Sequence, residues 1–146
     1  MVKSNSLKKI LIVEDNLAHI RLIQEVFKLS QSNYDLAITR NGMEALAYLQ
    51  QDAPYNQAPR PDLILLDLNL PKKDGREVLA QVKADPRFKR IPIVVLSTSA
   101  SQEDINRSYD LHANCYILKS KNFKGLSNMV QCLDEFWFKT VALATD

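Results

Sequence analysis

Leu63-Ile64-Leu65-Leu66-Asp67-Leu68-Asn69-Leu70-Pro71-Lys72-Lys73-Asp74-Gly75 puts an unbroken apolar run ahead of an aspartate and follows it with a polar stretch that closes on Asp-Gly. A strand with one face in water alternates apolar and polar residues. A run that is apolar at every position belongs to a strand covered on both faces, which parallel sheets require. Asp67 therefore stands where such a strand ends, and the Pro- and Gly-containing segment after it reads as a loop leading into a helix.

The same grammar repeats on either side. Ile10-Leu11-Ile12-Val13, the stretch 34–39, Ile93-Val94-Val95-Leu96 and Cys115-Tyr116-Ile117-Leu118 are further short apolar runs. Between and after them lie stretches of helical period at 17–29, 43–50, 76–84, 102–111 and from 123 to about 141. Leu17, Ile20, Ile23 and Phe27 form one apolar stripe, and Leu126, Met129, Leu133 and Phe136 another. Strands alternating with helices predict βαβ units, whose crossovers are right-handed. The expected fold is α/β: a flavodoxin-like (βα)5 doubly wound parallel sheet of strand order 2-1-3-4-5, in a single domain. Residues 7–141 read as that domain with an extended final helix, 1–6 as a flexible leader and 142–146 as a tail; the segment 51–61 reads as a surface loop.

Composition agrees. At 146 residues, with 46% hydrophobic and 25% charged side chains, the chain has the makeup of one globular unit rather than a disordered or repetitive polymer. A net charge of +2 is far from the dense positive field that nucleic acids reward, so no nucleic-acid partner is expected. The apolar runs are too short for a signal peptide or a membrane span, and Cys115 and Cys132 lack metal or disulfide spacing, so a soluble cytoplasmic protein is expected.

In sheets of this kind, chemistry collects at the carboxyl ends of the strands. The residues there are Glu14-Asp15 after the first run, Asp67 after the third, Ser97-Thr98 after the fourth and Lys119 after the fifth. If the first and third strands are neighbours, three carboxylates converge, and such a cluster calls for a cation. An all-oxygen donor set fits magnesium (Mg2+) better than zinc. Asp67 at the mouth of the sheet is suited to attack a phosphoryl group, with the metal, Lys119 and the Ser97 hydroxyl neutralising its equatorial oxygens. His19 and His112 fall at no strand end and read as surface or satisfied histidines.

These residues, in this order and at these intervals, resemble the receiver domain of two-component response regulators over roughly residues 7–141. The resemblance implies that Asp67 accepts a phosphoryl group from the phosphohistidine of a sensor histidine kinase, the receiver itself catalysing the transfer. It implies magnesium held by Asp15, Asp67 and the Asn69 main-chain carbonyl, with Glu14 acting mostly through water. It further implies a switch in which Ser97 moves toward the phosphate and Tyr116 turns inward, remodelling the fourth helix, fifth strand and fifth helix. Arg60-Pro61-Asp62, Ile91-Pro92-Ile93, Ser97-Thr98-Ser99, the stretch 115–120 and Phe136-Trp137 are closer still to the small regulators that work with cyanobacterial and bacterial phytochromes. By that likeness the kinase is a phytochrome, and the protein pairs as a homodimer through the fourth helix, fifth strand and fifth helix. Phe136, Trp137 and Phe138 cannot all turn inward from one helix, so at least one ring should be exposed or at an interface, with Phe136 and Trp137 the candidates. Because the sequence stops near the end of the fifth helix, output by protein contact is expected.

Two positions depart from the family pattern. Ser120 follows Lys119 where the family usually has a cis-bonded proline, and Thr98 stands where a smaller residue is common. Competing readings fare worse. Aspartate-based phosphohydrolases use Asp-x-Asp, but Asn69 cannot protonate a leaving group. A nucleotide or flavin binder needs a glycine-rich loop that Gly42, Gly75 and Gly125 cannot supply. A receiver-like module that binds partners without phosphorylation remains as the alternative.

Overall fold

Five parallel strands lie in the order β2-β1-β3-β4-β5. They are β1 (Lys8–Val13), β2 (Tyr34–Thr39), β3 (Leu63–Asp67), β4 (Ile93–Ser97) and β5 (Cys115–Leu118), and between them run α1 (Leu17–Leu29), α2 (Gly42–Gln50), α3 (Gly75–Ala84) and α4 (Gln102–Asp110), with α5 (Phe123–Leu133) at the end. The computed structural model describes residues 7–30 and 32–145; the expectation of a flexible leader at 1–6 lies outside the described residues. The fold and strand order are those expected.

Side-chain alternation divides the core into two layers. Leu11, Val13, Ile64, Leu66, Ile93 and Val95 face α2 and α3, while Ile10, Ile12, Leu63, Leu65, Val94 and Leu96 face α1 and α5. Because β3 and β4 are buried along their whole length, both layers meet on the strands that carry Asp67 and Ser97. The register sets Val13 beside Leu66 and Asp67 beside Leu96, so the ends of β1, β3 and β4 share one rim of the sheet.

Helix starts are fixed by polar caps: Asn16 for α1, Asn41 for α2, Ser101 for α4 and Asn122 for α5. Asp74 forms a full capping box with Glu77 at the start of α3. That helix presses directly on the end of β3. A Cβ on Gly75 would come within 2.4 Å of the Asp67 carbonyl oxygen and 2.6 Å of Leu68 Cα, so only glycine permits the contact.

The helical stripes needed correction at both ends of the chain. Leu17 is exposed, and in the first turn of α1 His19 joins Ile20 on the buried side, four residues before buried Ile23. After Leu133 the final helix widens into a π-helical stretch, Asp134–Thr140. The wider turn changes the phase, so Phe136, which continues the stripe in α-helical register, is 52% exposed. Trp137 and Phe138 pack against the layer under α1 and α5. Phe138 also stacks edge-on with Tyr34, whose hydroxyl donates to the buried Asp134 carboxylate at 2.5 Å. Among the described residues no helix is long and apolar enough to cross a membrane.

Candidate functional site

Glu14 leaves β1 buried at 2% exposure, and Asp67 closes β3 at 8%. Lys119, the residue after β5, reaches back between them. Its ammonium is 2.7 Å from Glu14 Oε1 and 3.4 Å from Asp67 Oδ2, with all three side chains nearly dry. Its backbone amide donates to the Ser97 carbonyl at 2.7 Å, which ties the β5 exit to the end of β4. The Lys119–Ser120 peptide is trans, as a non-proline bond should be.

The two carboxylates respond to this setting in opposite directions. Burial pushes the Glu14 carboxyl up, but hydrogen bonds from His19, Lys119 and the Asn16 amide outweigh it and bring the pKa down to about 2. Asp67 is raised, by burial first and by the charge of Glu14 second; Lys119 and the Asn69 amide oppose this without overcoming it. The Asn69 amide donates to Asp67 Oδ1 at 3.2 Å. One ammonium shared by two buried carboxylates leaves negative charge over, which is the condition that favours a further cation.

Asp15 does not join them. Its side chain is about half exposed and leans toward Arg40, whose guanidinium is 3.9 Å from Asp15 Oδ1 and donates to the Asp15 carbonyl at 3.1 Å. Among the described residues no three acidic, histidine or cysteine side chains gather closely enough to ligate one ion, so the expected convergence of three carboxylates is two plus an outlying third. The reason is local: Asp15 follows β1 by two residues, beyond the pleat that turns Glu14 inward. The carboxylates that this rim offers to a cation are those of Glu14 and Asp67, with Asp15 at its edge. That set suits a hard divalent ion.

Ser97 is buried, and its hydroxyl accepts the Ser99 amide at 3.1 Å; Thr98 is exposed. Tyr116 is half-buried against the layer under α2 and α3, and its hydroxyl donates to the Ser99 carbonyl at 2.8 Å, so the ring is inward here.

His19 was missed from the sequence. It is 8% exposed, with Nδ1 3.2 Å from Glu14 Oε1 and Nε2 3.2 Å from the Ser120 carbonyl. It bridges the acidic corner to the residue after Lys119. The signal that finds it is the spacing to Ile23 and Val26, which places it on the buried face of α1 beside the end of β1.

The receiver domain of response regulators matches residues 10–131 of this chain. The chain belongs to the response regulator receiver domain family. Phosphorylation on an aspartate is the function of that family. Response regulator Rcp1 of Synechocystis sp. (strain ATCC 27184 / PCC 6803 / Kazusa) is 56% identical over 141 residues, covering 97% of this chain and 96% of that protein. The crystal structure of the phosphorylated cyanobacterial phytochrome response regulator RcpA superposes with a TM-score of 0.90 at 58% identity, covering 96% of this chain and 100% of that one. The Mn(2+)-bound form of Rcp1 superposes with a TM-score of 0.86 at 56% identity, covering 94% and 99%. This receiver is a signalling protein close to the regulators of the phytochrome system, and a sensor kinase is its implied partner.

Proposed function

We propose that Asp67 is the aspartate phosphorylated, that a phytochrome sensor histidine kinase is the donor and that Lys119, Ser97 and Glu14 serve the transfer. The observation that carries this reading is the grouping of Asp67, Glu14 and Lys119 within one dry rim of the sheet. An Asp67 carboxylate oxygen attacks the phosphorus of a phosphoimidazole. The O–P bond forms as the N–P bond breaks, and the electron pair stays on the leaving ring nitrogen, which takes up a proton. Lys119, already 3.4 Å from Asp67, is placed to pair with a phosphate oxygen once the carboxylate has become an acyl phosphate. The Ser97 hydroxyl accepts a hydrogen bond from Ser99 and keeps its own proton to donate. A divalent cation, magnesium by preference, belongs with Asp15, Asp67, the Asn69 carbonyl and Glu14, and supplies charge neutralisation of the transferring group. The same groups serve hydrolysis of the acyl phosphate, so the receiver catalyses its own phosphorylation and dephosphorylation and turns over no other substrate.

Output runs by protein contact in the cytoplasm, through α4, β5 and α5. Tyr109, Leu118 and Phe123 leave large apolar surface exposed along those elements, Phe136 adds to it from the π-helical stretch that continues α5, and a second copy of the chain is the partner that Phe136 serves. Incubation with acetyl phosphate and magnesium tests the reaction. One phosphoryl group per chain is expected by intact-mass spectrometry, none in Asp67→Asn; full labelling of that variant would move the acceptor elsewhere.

A further inference from the structure

Ser99 lies between the two groups of the proposed switch. Its amide donates to Ser97 Oγ at 3.1 Å, and its carbonyl accepts the Tyr116 hydroxyl at 2.8 Å. Its hydroxyl donates to Asp104 Oδ2 at 2.7 Å, while the Ser101 amide donates to Ser99 Oγ at 3.2 Å. Asp104, in the first turn of α4, is gripped on its other oxygen by Arg76, whose guanidinium reaches Oδ1 at 3.3 Å. Arg76 in turn sits in the first turn of α3 and touches Asp74 Oδ1 at 3.5 Å. A single guanidinium therefore joins the helix that presses on Asp67 to the loop that carries Ser99.

A surface ion pair usually decides little. Here both oxygens of Asp104 are engaged, one by a neighbouring helix and one by the loop, and Arg76 is only 21% exposed. The helix they position also has little else to hold it. Ser108 is the only residue of α4 that is fully buried, so polar contacts at its start carry an unusual share of its placement.

We propose that Arg76 and Asp104 form a positioning strut that, acting through Ser99, holds the loop 98–101 where its carbonyl receives the Tyr116 hydroxyl, and so favours the inward packing of Tyr116. This rests on the reading of Ser97 and Tyr116 as the switch and names the residues outside the phosphate site that bias it. Without the strut the loop keeps its chain connections but loses its tie to α3, and the Ser99 carbonyl no longer sits in one place. The Tyr116 ring then spends more time outside.

The test is fluorine NMR of the full chain labelled with fluorotyrosine, the Tyr116 resonance being assigned with Tyr116→Phe and no phosphoryl donor present. Arg76→Gln and Asp104→Ala should each raise the outward-to-inward ratio of Tyr116 about two- to fivefold. The double variant should match the singles, because both remove one interaction. Arg76→Lys and Asp104→Glu should recover part of the inward population, a rescue that a merely structural role does not produce. An unchanged ratio in folded variants, or effects that add in the double variant, would overturn the strut. Because no donor is present, this readout stands apart from acceptor chemistry: loss of acetyl phosphate labelling in the wild type would sink the proposed function, while the ratio alone decides the strut.

Discussion

The Lys119 ammonium is closer to Glu14, at 2.7 Å, than to Asp67, at 3.4 Å. The ammonium is thus bound first to Glu14 and shared with Asp67. Sharing the ammonium unequally is one contribution to the opposite shifts: His19, Lys119 and the Asn16 amide together outweigh burial at Glu14 and bring it to about 2, while at Asp67 burial and the charge of Glu14 outweigh Lys119.

Removing that cation leaves two buried carboxylates without a shared partner. Lys119→Met should therefore cost about 3 kcal/mol at neutral pH. Urea denaturation checks this, and the deficit should shrink at acid pH, where protonation removes the uncompensated charge.

Asp67→Asn should act in the opposite sense and raise stability at pH 7, because burial and the charge of Glu14 disfavour ionised Asp67 in the fold. A carboxyl raised on folding is a liability at neutral pH that fades as the pH falls through its folded value. The gain in Tm over wild type should accordingly shrink on acidification. Glu14 behaves conversely: its pKa is lowered from 4.5 to about 2, so its contribution is present above about pH 4.5 and lost between there and pH 2. Thermal scans of Glu14→Gln across that window should show its deficit vanish toward pH 2.

Arg40 holds Asp15 in an exposed pair at 3.9 Å, and on the proposed reading it competes with the divalent cation for that carboxylate. Arg40→Ala should tighten divalent binding about two- to fivefold, the scale of a surface ion pair. Titration of manganese followed by electron paramagnetic resonance reads this directly; unchanged affinity would mean the pair is incidental.

Phe136 and Trp137 should separate into two roles. Phe136→Ala should weaken self-association in sedimentation experiments with little loss of stability, since its ring is 52% exposed. Trp137→Ala should cost about 2–3 kcal/mol in folding, because the indole packs on the core.

His112 adopts φ 73° just beyond α4. His112→Gly should stabilise the fold by about 0.5–1 kcal/mol by relieving the left-handed strain, as denaturant midpoints would show.

The element order, the buried strands β3 and β4, and the placing of Glu14, Asp67, Ser97 and Lys119 at one rim were all legible in the chain. Hydrophobic period is a local property, and strand ends follow from it once the handedness of crossovers is fixed. The strand order allowed Glu14 and Asp67 to be neighbours before any distance was known. Tertiary structure alone decided what those side chains do with each other. Lys119 reaching Glu14 first, Asp15 turning to Arg40, His19 closing behind Glu14 and Arg76 crossing to Asp104 each depend on rotamers and helix phase across elements far apart in sequence. The π-helical widening that exposes Phe136 and turns Trp137 inward is of the same kind. Consecutive residues set a repeat, but the angle at which a helix meets the sheet is settled by packing against partners that local pattern does not name.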